Sequence, residues 1–116
     1  MRNMHEVSIM ESTMNIISEK ARENDLKVIS KITIKIGELS GVMPDALTFA
    51  FNSLSRGTIA EGAEFLIERV DATAMCDECG IIFEIDHFNK LCPKCNKFSA
   101  NILSGYELYV NTIEGE

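Results

Sequence analysis

The sequence predicts a small α/β (α+β) domain of two helices and a three-stranded sheet, interrupted by an inserted module built on four cysteines. Three observations predict it. A helical three-four repeat of apolar residues opens the chain and gives way near residue 28 to alternation. A second helical segment and two further strand-like runs follow. Between those two runs lie all four cysteines, in two Cys-x2-Cys pairs.

The first helix is expected over about residues 4–24. Val7, Met10, Met14, Ile17 and Ala21 share one face, while Glu11, Asn15, Ser18 and Arg22 fall on another that water can cover. A strand is expected next, over about 28–37. There Val28, Ile32, Ile34 and Ile36 alternate with Lys31, Thr33 and Lys35, the period of a half-buried sheet. Residues 37–41 are a turn-rich connection. The second helix spans about 44–56: Pro44 suits its first turn, Asp45 suits the dipole there, and Gly57 suits a left-handed stop. Leu47, Phe51 and Leu54 supply its apolar face, with Ala50 beside them. A second strand is expected over 62–71 through Phe65, Ile67 and Val70. A third is expected over 105–113 through Tyr106, Leu108 and Val110, with Glu107 and Asn111 on the opposite side. This order divides the chain into an α/β domain, 1–72 with 104–116, and an inserted module, 73–103, that can hinge against its host.

At 116 residues the chain fits one domain with a small module attached. No apolar run approaches the roughly 20 residues of a membrane helix. Met1-Arg2-Asn3-Met4-His5-Glu6 soon meets an acid and lacks the apolar core of a signal peptide, so a cytoplasmic location and no membrane partner are expected. The net charge is −7. Nucleic acid is bound chiefly by Lys and Arg against phosphate, so this balance argues against that partner. No Ser-His-Asp, Walker or Rossmann pattern occurs, and no enzyme activity is expected.

Cys76, Cys79, Cys92 and Cys95 are spaced Cys-x2-Cys, twelve residues, Cys-x2-Cys. Two residues between cysteines let both sulfurs of a tight turn face one ion, with backbone N–H groups directed at the thiolates. Two such knuckles close a tetrahedral S4 site, which suits zinc at about 2.3 Å. Gly80 and Asn96 each follow a knuckle, where positive φ is often required. Two disulfides are the alternative in an oxidising compartment, and rubredoxin-type iron is the alternative metal. With four protein ligands the ion has no open position, so the zinc is read as structural, in a zinc-ribbon module expected to be disordered without metal.

Met4-His5-Glu6 places an imidazole beside a carboxylate at a helix start, a pairing that can bind a divalent transition metal. Imidazole suits nickel, and amide nitrogens complete a square-planar set when the histidine lies near the chain's amine. By composition and spacing alone another reading is favoured. Asn3 serves as N-cap with Glu6 three residues on, like a capping box, and His5 is then a surface residue.

Several stretches carry a resemblance that changes this balance. They are Met4-His5-Glu6, Ile36-Gly37-Glu38-Leu39-Ser40-Gly41-Val42, Phe49-Ala50-Phe51, and Arg56-Gly57-Thr58-Ile59-Ala60-Glu61-Gly62-Ala63. The two cysteine knuckles, Gly105-Tyr106-Glu107-Leu108 and Ile113-Glu114 complete them. From Met4 onward the chain resembles the HypA/HybF family, nickel metallochaperones of hydrogenase maturation. The resemblance implies a nickel-binding α/β domain with an inserted zinc ribbon, and nickel capture by His5 and Glu6. It implies delivery of that cargo, with a partner GTPase (HypB), to the large subunit of a NiFe-hydrogenase, and in some organisms to urease. A homodimer is carried as a further candidate partner. In the family the histidine normally follows the initiator methionine, whereas Met1-Arg2-Asn3 precede Met4 here. A start at Met4 would let the chain amine, a backbone amide and His5 chelate together. An acid before the second helix joins the site in some relatives; the aligned position here is Met43. Asp45 is the nearest acid and, with Met4, a secondary nickel candidate.

The other tempting residues have plainer readings. His87 lies between the knuckles, but four thiolates already complete the shell, so it is expected at the surface. Met10 and Met14 share a helix face with Val7 and Ile17 and are expected in the core. Glu38 and Glu107 are expected to face solvent or a domain interface. Two competing functions remain: a zinc-ribbon adaptor for protein or nucleic acid, which would use Lys90, Lys94 and Lys97, and a rubredoxin-like electron carrier.

Overall fold

The computed structural model describes the backbone from Arg2 and the side chains from Glu6 through Glu116. Helix α1 runs Arg2–Glu23, strand β1 Ile29–Gly37, helix α2 Pro44–Leu54 and strand β2 Glu64–Val70. Three short strands follow, β3 (Thr73–Met75), β4 (Ile82–Glu84) and β5 (Ile102–Ser104), and then β6 (Leu108–Gly115). The strands form two sheets, ordered β2-β1-β6 and β4-β3-β5. The chain divides into two compact units. One comprises Met1–Lys35, Val42–Glu68 and Tyr109–Glu116; the other comprises Ile36–Gly41 and Arg69–Leu108.

In the first unit, α1 buries Glu6, Met10, Ile17 and Ala21, a stripe at helical spacing whose first member is a carboxylate. Met10 packs in the core as expected, whereas Val7 and Met14 lie at the margins, half-buried. The capping-box reading is overturned. Asn3 lies inside α1, which already begins at Arg2, and Glu6 turns inward to another helix. Strand β1 buries Ile32, Ile34 and Ile36 as its alternation requires, but Thr33, expected on the open face, is buried as well. Val28 departs from the pattern at 47% exposure. It precedes the strand, and the buried position passes to Ile29, whose N–H donates to the Ile59 carbonyl of the connection after α2. Val28 exchanges backbone hydrogen bonds with Glu116, and Ser30 Oγ donates to Glu114 O, so β1 and β6 run antiparallel.

Helix α2 packs on α1 and buries Leu47, Ala50 and Phe51. The Phe51 ring stacks on Phe65 of β2 with centroids 4.5 Å apart. The helix stops at Leu54, two residues earlier than expected. Ser55 N–H still donates to Phe51 O, and Gly57 then takes the left-handed φ of +76° that only glycine adopts freely. The strand expected over 105–113 is displaced to Leu108–Gly115, leaving Tyr106 exposed ahead of it.

In the second unit, β3 pairs antiparallel with β4 through Thr73↔Glu84, Ala74↔Phe83 and Met75↔Ile82. On its other side β3 pairs with β5, with an irregularity between Thr73 and Ala74. Leu39, Ala72, Ala74, Phe83 and Ile85 form a small core that includes Cys76 and Cys92. Gly37 lies so close to Gly105 that an added Cβ would stand 2.1 Å from its carbonyl oxygen. Among the described residues no helix is long and apolar enough to cross a membrane.

Candidate metal centre

Both Cys-x2-Cys turns fold alike. The Cys76 N–H donates to Ile81 O, and its carbonyl accepts the Gly80 N–H; the Cys92 N–H donates to Lys97 O, and its carbonyl accepts the Asn96 N–H. Gly80 and Asn96 take φ of +72° and +60°, the left-handed closure expected of them. The repeated turn aims two sulfurs from each knuckle at a common point.

All four Sγ atoms lie within 4.8 Å of one another. Across the knuckles Cys76 and Cys95 stand 3.4 Å apart, and Cys79 and Cys92 stand 3.5 Å apart. A disulfide needs about 2.05 Å, so these are not bonded pairs. A tetrahedron with metal–sulfur distances of about 2.3 Å has sulfur–sulfur edges of roughly 3.8 Å, and the cage matches that size. Cys76 and Cys92 are buried, Cys79 and Cys95 half-buried.

The thiols are electrostatically unequal. The backbone N–H of Cys79, more than any other group, holds Cys76 down at about 6, against the burial that opposes its charge. Burial works against the Cys92 thiolate too, yet the N–H groups of Cys95 and Lys94 win and its pKa is lowered. Burial and the hydrogen bond to Cys76 push Cys79 up. The Lys97 N–H pulls Cys95 down, but the hydrogen bond to Cys76 and burial outweigh it, and Cys95 is pushed up to about 12. Each close pair thus joins an acidic first-position cysteine to a proton-holding second-position cysteine of the other knuckle. Such a cage binds a thiophilic cation once its remaining thiol protons leave.

The N-terminal candidates are placed unequally. Met4 and His5 lie outside the described side chains. Glu6 is 0% exposed; its Oε2 accepts the Met43 N–H at 3.0 Å, and its Oε1 has no hydrogen-bond partner among the described residues. Asp45 is exposed in the first turn of α2. Among the described residues the four cysteines are the one cluster of three or more metal-competent side chains, so Glu6 and Asp45 are not gathered with a third ligand. The burial of Glu6 was missed by sequence reasoning, although its spacing to Met10, Ile17 and Ala21 signals it.

His87 is exposed and outside the cage. Glu38 and Glu107 are half-buried braces within the second unit. Glu38 Oε1 accepts the Ala72 N–H at 3.1 Å, and Glu107 Oε1 accepts the Gly105 N–H at 2.8 Å. Phe88 stands 98% exposed on a turn in which Asp86 Oδ1 accepts the N–H groups of Phe88 and Asn89.

Fold and site together define a small α+β protein with a four-cysteine cluster that can hold a metal ion and a carboxylate buried near the start of α1. Comparison with known proteins narrows that class. Residues 4–115 match the family described as hydrogenase/urease nickel incorporation, metallochaperone, hypA. A hydrogenase maturation factor HypA of Aquifex aeolicus is 40% identical over 113 residues, 97% of this chain and 98% of the relative. The corresponding factor of Chlorobaculum parvum is 41% identical over 110 residues, 95% of this chain and 97% of its own. The solution structure of the Ni metallochaperone HypA from Helicobacter pylori shares the fold at a TM-score of 0.66 and 22% identity, covering 95% and 96% of the two chains. A second HypA solution structure gives 0.70 at 23% identity, covering 97% of each. The chain belongs to the HypA family of nickel-incorporating metallochaperones, which are maturation factors rather than enzymes.

Proposed function

We propose that this chain captures Ni(II) through His5 and Glu6, while Cys76, Cys79, Cys92 and Cys95 hold a structural Zn(II). The cargo then passes, with a HypB-type GTPase, to the large subunit of a NiFe-hydrogenase, with urease as a further client. The observation that carries the nickel reading is Glu6, a fully buried carboxylate with one oxygen unpartnered among the described residues. Such an oxygen calls for a cation or a proton, because burial without a partner is costly. Glu6 adjoins His5 in a chain of this family. Met4 and Asp45 are secondary ligands in this reading. The cytoplasm is the proposed location, 73–103 the zinc-bearing module, and a homodimer a further assembly.

Zinc is supported by the size of the sulfur cage and by the donor set. Four thiolates leave no coordination position for water or substrate, so the ion holds the module together and performs no chemistry. Nickel needs the opposite, a site that gives up its guest, and an imidazole with a carboxylate suits it.

Calorimetric nickel titration of two chains, one starting at Met1 and one at Met4, tests the reading, with His5→Ala as control. Nickel heat that disappears in His5→Ala while zinc content stays constant is the expected result. A tighter site in the Met4 chain brings in the free amine. A trace indistinguishable from buffer in both overturns the proposal. One observation favours a second reading, an adaptor module: exposed Phe88, Leu91 and Phe98 lie among Lys90, Lys94 and Lys97. That reading predicts no nickel heat at all.

A further inference from the structure

We propose that Glu6 of α1 is the missing cap of α2, and that a cation on its second oxygen, unpartnered among the described residues, loosens the start of that helix. Helix α2 cannot cap itself. Its N-cap residue is Met43, with φ −89° and ψ 117° and no side-chain cap, and its next residue is Pro44. The third helical position, where a capping box places Glu or Gln, is Ala46. Glu6 supplies from another helix, 37 residues away, what a glutamate there would supply. Its Oε2 accepts the Met43 N–H at 3.0 Å, and its charge lies at the positive end of the helix dipole. The arrangement is a capping box divided between two helices. Complete burial of Glu6 keeps water from substituting for Met43 as the partner of its carboxylate.

The second oxygen gives the cap its sensitivity, and this half rests on the nickel reading above. A hydrogen bond to an ionised carboxylate is roughly twice as strong as a neutral one. A divalent cation on Oε1 draws charge from Oε2 and adds positive charge beside the helix's positive end. Both effects weaken the Met43 bond. Linkage then makes the effect reciprocal: the hold of α2 on Glu6 lowers nickel affinity, and anything that draws the α2 start away raises it. Glu6 is therefore a positioning residue for α2 as well as a ligand.

Amide hydrogen exchange at Met43, Asp45, Ala46 and Leu47 tests this in the full chain, for the unmodified protein, Glu6→Gln and Glu6→Ala. Metal-free, exchange is expected to rise from the unmodified protein to Gln to Ala, by about tenfold or more in the last step set against the first. Should Glu6→Ala fail to fold, Gln against the unmodified protein carries the comparison. Nickel alone is expected to speed exchange in the unmodified protein and to leave Glu6→Gln unchanged. Equal metal-free rates in all variants overturn the cap. Unmoved rates at nickel saturation, with binding confirmed by heat, overturn the coupling while sparing the function. Absence of nickel heat overturns the function and the coupling together, and the metal-free rates still decide the cap.

Discussion

At the scale of residues, four clustered thiols and one fully buried carboxylate stand out among the described residues. The thiols were legible because Cys-x2-Cys encodes its own geometry, with Gly80 and Asn96 closing each turn. What the spacing did not show is their inequality. Cys76 and Cys92 are lowered from the usual value of 9.0, whereas Cys79 and Cys95 are raised. The sign for metal binding follows. Ligand thiols must be deprotonated, so affinity falls as pH falls. At neutral pH, binding should release protons, those of Cys79 and Cys95 among them, because both are raised above the usual thiol value. As pH drops through about 6, Cys76 also takes a proton and affinity falls more steeply. Zinc competition with a chromophoric chelator between pH 5 and 8 checks this; a flat profile contradicts it. The exposed Lys97–Glu78 pair, at 3.0 Å, links the knuckles but adds little by itself.

At the scale of elements, α1, α2, β1 and β2 were readable because each turns one face inward at its natural period. Strand β6 was readable only as an apolar run, its half-buried positions falling at Val110, Ile113 and Gly115. Errors fell at ends, where tertiary contacts decide: Ile29 replaces Val28, α2 ends at Leu54, and β6 begins at Leu108. Strands β3, β4 and β5 have three residues each, too few for alternation to register, and exist through their mutual pairing. Helix α2 offers a direct contrast. Phe51 is 1% exposed and stacked on Phe65, while Phe49, two residues earlier, is 72% exposed. Phe51→Ala should cost about 3–5 kcal/mol, and Phe49→Ala should stay within about 0.5 kcal/mol. Urea unfolding of the two variants measures the difference, and similar losses would mean the helix faces are misassigned.

At the scale of the whole molecule, the two units draw stability from different sources. The first has Met10, Ile17, Ile32, Ile34, Leu47 and Phe51 in its core. The second has a smaller core of buried residues that includes Cys76 and Cys92, so the sulfur cage is part of it. Zinc binding is worth about 10–16 kcal/mol in zinc-finger peptides, much of it folding energy. Chelation should therefore collapse the chemical-shift dispersion of residues 69–108 while α1 and α2 keep theirs. Dispersion that survives chelation throughout would show that the apolar contacts suffice. The amino-acid order by itself determined the four-cysteine cage, the two helices and the long strands, since each is written within a few neighbouring positions. Only the tertiary structure decided that Glu6 is buried, that it meets Met43, and that one of its oxygens has no partner among the described residues. Those facts join segments 37 residues apart, and a carboxylate's environment is set by what folds against it rather than by its neighbours in the chain.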